Sequence, residues 1–111
     1  RFGQGRAFAA RDIAAAVREA DGLINATPVG MASYPGLPLA ADLLRPDLWI
    51  ADIVYFPLET ELLRQARRLG CRTLDGGRMA VFQAAEAFRL FTGITPDPER
   101  MLRHFAVLTR G

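Results

Sequence analysis

The chain has 111 residues, half of them hydrophobic and under a quarter charged, which fits one packed domain or a large part of one and excludes a second full domain. Its 14 basic residues are all arginine, so any step that needs a lysine acid, base or Schiff base must be served from elsewhere. The net charge of +2 is small and the arginines are scattered, which argues against nucleic acid as a partner.

The chain opens at Arg1 and enters a helical pattern almost at once, which points to an upstream segment. From about Ala9 to Ala20, Ile13, Ala14 and Val17 recur at helical spacing and Gly22 follows, predicting a surface helix. Leu23 to Ala26 is a short apolar run broken by Thr27-Pro28, which reads as a buried strand running into a loop. Pro28 to Pro38 holds Gly30, Pro35 and Gly36 and is a loop, with a short helical turn near Ala40 to Leu44. Leu48 to Tyr55 is a continuous apolar run around Asp52, predicting a second strand covered on both faces.

Thr60 is placed to cap the next helix, with Glu61 in its first turn, Arg67 and Arg68 in its last, and Gly70 beyond. The expected core face of that helix is Leu62, Leu63, Ala66 and Leu69. Cys71 to Leu74 reads as a third strand ended by Asp75-Gly76-Gly77, and helices follow over about Arg78 to Phe91 and Pro98 to Leu108. Strands and helices alternating at these spacings predict an α/β doubly wound sheet of parallel strands. Such sheets bind ligands beyond the carboxyl ends of their strands, which directs attention to Thr27 to Met31, Tyr55 to Thr60 and Gly76-Gly77.

Residue chemistry adds candidates at this edge. Gln83 lies among Met79, Ala87 and Leu90 on a helical wheel, where its amide needs partners: substrate hydroxyls, or a neighbouring backbone if it is a core glutamine. Tyr55 ends a strand, where its phenol either binds a ligand or packs. Gly76 permits close backbone approach or simply a tight turn. Gly3-Gln4-Gly5-Arg6-Ala7-Phe8 is not a dinucleotide fingerprint, because Phe8 stands in place of the third glycine and no strand precedes it. His104 is the only histidine and nothing has metal-ligand spacing, so no metal is expected. Cys71, the only cysteine, excludes an intrachain disulfide and fits a reducing cytoplasm, and no apolar run approaches the roughly 18 residues of a membrane span.

Three ordered segments carry a family resemblance. Asn25-Ala26-Thr27-Pro28-Val29-Gly30-Met31 resembles the NAT-x-x-GM motif of the shikimate dehydrogenase family. Asp52 to Leu63 resembles its D-x-V-Y-x-P-x-x-T-x-L-L stretch, and Asp75 to Phe88 its DG-G-x-M-x-V-x-QA-x-x-AF signature, with Phe91-Thr92-Gly93 in place. The Phe56 to Glu61 variant is similar to the quinate/shikimate dehydrogenases of actinobacteria. The resemblance implies the second half of a Rossmann domain over residues 1–93, its glycine-rich turn lying upstream, and a closing C-terminal helix over 94–111. It implies reversible hydride transfer between NADP or NAD and the hydroxyl-bearing ring carbon of shikimate or quinate, in a cytoplasmic monomer or homodimer.

For the residues, the resemblance implies substrate binding by Gln83 and Tyr55, and cofactor contact by Asn25, Ala26, Thr27, Ile53 and Gly76. The family's catalytic lysine and aspartate belong to its substrate domain, so no catalytic residue is expected here and the chain alone is expected to be inactive. Two other readings are a non-catalytic homologue that senses shikimate and a structural α/β piece with no ligand.

Overall fold

The computed structural model describes residues 5–110, so the first two residues of the rejected glycine stretch lie outside the described residues. Four α-helices and three strands lie within the described residues. They are α1 (Ile13–Glu19), β1 (Gly22–Asn25), β2 (Trp49–Asp52), α2 (Glu61–Arg68), β3 (Arg72–Leu74), α3 (Gly76–Thr92) and α4 (Pro98–Leu108). The expected short helical turn is present as a single 3-10 turn at Ala41–Leu43. The three strands form one parallel sheet in the order β1-β2-β3, as the alternation predicts.

The helix ends follow their capping chemistry. Asp12 stands just before α1 and its carboxylate accepts the Ala15 N–H, so the helix begins four residues later than its periodicity suggests. The far end of α1 is closed from a distance: the Arg45 guanidinium donates to the carbonyls of Val17 and Ala20, a cation at a helix C-terminus. Thr60 caps α2 through the Leu63 N–H, and Gly70 leaves it at φ +86. Asp75 caps α3 through the Gly77 N–H, so the Gly76-Gly77 pair opens this helix instead of ending β3.

Register fixes which side chains face the core. Asn25 lies beside Asp52 and Leu23 beside Ile50, and these face the layer built by α1 and α2. Val17, Leu48, Ile50, Leu62, Leu63 and Ala66 form the heart of that core. Cys71 packs into it, where burial pushes its thiol pKa up. Leu69, expected on the core face of α2, is the C-cap residue at the end of the helix and is exposed.

The expectation that β2 is covered on both faces does not hold. Ile50, Asp52 and Val54 are buried, whereas Trp49 and Ile53, which alternate with them, are exposed. Ile24 at 58 % and Leu74 at 54 % flank Ala51 on the same open face, so the apolar run of β2 serves one covered face and one that the described residues leave bare. On that face the Trp49 indole lies across Gly22, where a Cβ would fall 1.9 Å from its ring. The outer edge of β1 has no partner strand among the described residues either.

Bare apolar face and free strand edge together favour self-pairing. The chain on its own is therefore expected to associate as its concentration rises through the micromolar range, checked by sedimentation velocity. A sharp, monomeric, high-temperature melt would contradict this.

Candidate functional site at the carboxyl edge of the sheet

The chain leaving β1 and β2 and the chain entering α3 meet at one edge. Ile53 donates its N–H to the Asn25 carbonyl (3.1 Å), carrying the pairing one step past both strands. Ala26 and Thr27 follow, both exposed. The loop then turns at Gly30, whose φ of +110 is open only to glycine without strain and whose N–H donates to the Tyr34 carbonyl (2.7 Å).

Gly76 is set by close packing. A Cβ there would lie 2.5 Å from the carbonyl oxygens of both Ile53 and Val54, so the first turn of α3 rests directly on the end of β2. Its neighbour Gly77 is buried against Leu58 and Phe105. The requirement for glycine at 76 is thus already met by protein backbone, whatever else approaches it.

Ile53 and Tyr55 alternate with the buried Asp52 and Val54, and so point to the open side of the edge. Tyr55 is half exposed and its ring also packs on Phe105 of α4, centroids 6.4 Å apart, so packing and ligand contact are compatible at this residue. Gln83 stands seven residues beyond Gly76 on α3. That spacing returns to the same helix face about 10 Å higher. Gln83 is exposed beside exposed Met79 among the described residues.

Asn25 differs from its neighbours. It is 3 % exposed and its amide is fully engaged within the protein. Nδ2 donates to the Val29 carbonyl (2.9 Å) and to Asp52 Oδ1 (3.1 Å), while Oδ1 accepts from the Thr27 N–H (3.1 Å) and hydroxyl (2.6 Å). Its side chain shapes the turn and offers no free group to a ligand. Sequence reasoning gave no site role to Asp52 and only a capping role to Thr60, yet both are buried in this network. The available signal was a lone carboxylate within an apolar strand, which burial obliges to find donors.

A parallel three-stranded sheet with helices packed on it and glycine-permitted close contacts at its carboxyl edge defines the class: part of a Rossmann-like α/β sheet. The family model of the shikimate 5'-dehydrogenase C-terminal domain matches residues 77–104. A shikimate dehydrogenase (NADP(+)) of Streptomyces avermitilis is 62% identical over 109 residues, 96% of this chain and 38% of that protein. A quinate/shikimate dehydrogenase (NAD(+)) of Corynebacterium efficiens is 54% identical over 99 residues, 89% of this chain and 35% of the relative. The solved quinate dehydrogenase of Corynebacterium glutamicum in complex with NAD superposes with a TM-score of 0.82 at 52% identity, over 87% of this chain and 34% of that one. The chain belongs to the shikimate dehydrogenase family, and spans about a third of the length of the curated relatives it matches.

The contact at Gly76 yields a direct test. Gly76→Ala must separate α3 from β2 or bend the strand end, and is expected to lower stability by about 1–3 kcal/mol. Urea unfolding followed by circular dichroism measures the change.

Proposed function

We propose that this chain forms the nicotinamide side of an NAD- or NADP-dependent dehydrogenase acting on shikimate or quinate. The observation that carries the reading is the meeting of Ala26-Thr27, Ile53, Tyr55 and the start of α3 at one sheet edge, with Gln83 on the face above it. In this reading residues 1–93 are the second half of a nucleotide-binding domain and 94–111 a closing helix.

The residues present fit a nicotinamide. Ile53 would supply an exposed apolar ledge to its ring, with exposed Ala26 and Thr27 beside it, and Gly76 lets the start of α3 pack closely on the strand end. Asn25 acts through the turn it holds. The bound cofactor supplies the hydride acceptor or donor. Gln83 offers an amide donor and acceptor to the substrate hydroxyls, and Tyr55 offers its phenol to a hydroxyl or carboxylate. Their contribution is positioning, which accounts for several kcal/mol of a barrier when it fixes the reacting geometry. Proton transfer falls to groups outside this chain, which has no lysine. Both cofactors occur in the names of relatives, and the reading commits to neither.

No helix among the described residues is long and apolar enough to cross a membrane. A single reduced, buried cysteine supports action in the cytoplasm.

Two measurements test the proposal. The chain alone is expected to show no shikimate-dependent reduction of NAD or NADP, whereas a chimera carrying it in place of the matching segment of the Streptomyces avermitilis protein is expected to be active. In that chimera Gln83→Ala should raise KM for shikimate about tenfold, the worth of one hydrogen bond, and leave KM for the cofactor nearly unchanged. Collapse of cofactor affinity instead would place Gln83 in the wrong role.

A further inference from the structure

We propose that the Asp52 carboxylate is a positioning residue that locks the turn after β1, the end of β2 and the first turn of α2 into one mechanical unit. This rests on the reading of that edge as the nicotinamide edge, and goes beyond it by naming what holds the edge in shape. Asp52 is 2 % exposed at the last position of β2, opposite Asn25 in the register.

Each of its oxygens faces a different segment. Oδ1 accepts from Asn25 Nδ2 (3.1 Å) on the β1 side and from the Val54 N–H (3.0 Å) in its own strand end. Oδ2 accepts the Thr60 hydroxyl (2.8 Å), and that hydroxyl in turn accepts the Leu63 N–H (3.2 Å) of α2. A continuous chain of hydrogen bonds therefore runs from Thr27, through Asn25, Asp52 and Thr60, to the opening turn of α2. Gly30 packs on the same point, its Cβ position 3.5 Å from Thr60 Cγ2.

Only a carboxylate completes this arrangement. The three incoming groups are all donors, and a carboxylate has two acceptor oxygens and no donor. An asparagine at 52 would keep its oxygen toward Asn25 and Val54 but turn an NH2 on the Thr60 hydroxyl, which already accepts from Leu63 and would lose the acceptor for its own proton. Because an unmatched buried polar group is costly, the three segments hold their relative positions together or release together.

Hydrogen–deuterium exchange on the full chain tests this. Thr60→Val keeps the shape and removes the hydroxyl. Exchange is expected to rise about tenfold in peptides covering 61–66, and also in those covering 26–31, some thirty residues away in sequence. Peptides covering 80–90 should be unchanged, and Thr60→Ser should restore both segments. Asp52→Asn, the milder change, should move the same two segments in the same direction by less.

A rise confined to 61–66 would reduce Thr60 to an ordinary helix cap and overturn the proposal. A uniform rise across all peptides would show general destabilisation and overturn it equally. Nicotinamide mononucleotide provides the separate check on the underlying reading. It should slow exchange at 26–31 in the unsubstituted chain, and at 61–66 only while the Asp52–Thr60 link is intact. Absence of any effect from this probe would count against the nicotinamide reading and leave the exchange comparison between variants to decide the coupling.

Discussion

The contact between the first turn of α3 and the carbonyls of Ile53 and Val54 leaves no space for even a methyl group, and the candidate site depends on it. It fixes the height of a 17-residue helix above the sheet edge, and with it the place of every residue farther along that helix. Gln83 shares a helix face with Gly76, and Gly77 turns the adjacent face toward Leu58 and Phe105, where α4 packs. Tyr55, leaning on Phe105, ties the strand end to α4. One backbone contact thus orders two helices and two candidate ligand groups.

Local chemistry made much of this legible in the sequence. Thr60, Glu61, Arg67, Arg68 and Gly70 mark α2 to within a residue, because capping and charge at helix ends act over one turn. Parallel pairing followed from strand and helix alternation. What was not legible depends on groups distant in the chain. The far end of α1 is closed by Arg45, twenty-five residues from Ala20, and no local pattern announces that. The reading of β2 as covered on both faces failed because an apolar run records a capacity for burial, and the described residues supply a cover for only one side.

The site divides along the same line. The motifs located the edge, since glycines and strand ends are visible in a string of letters. They did not separate groups that touch a ligand from groups that shape what touches it. Asn25 sits in the most recognisable motif and its amide is wholly occupied by Thr27, Val29 and Asp52. Exposed Ala26 and Thr27, less distinctive as residue types, form the surface. A motif position can therefore be demanded by the shape of a turn whose hydrogen bonds its side chain completes.

The Trp49 indole on the bare face of the sheet has an optical consequence. It is the only tryptophan in the chain and is partly exposed where it lies across Gly22. The wavelength of its emission is consequently a single-site gauge of solvent at that face. Whatever comes to rest on the sheet, a second copy or another stretch of polypeptide, removes water from the one chromophore that absorbs at the red edge, without any label being added.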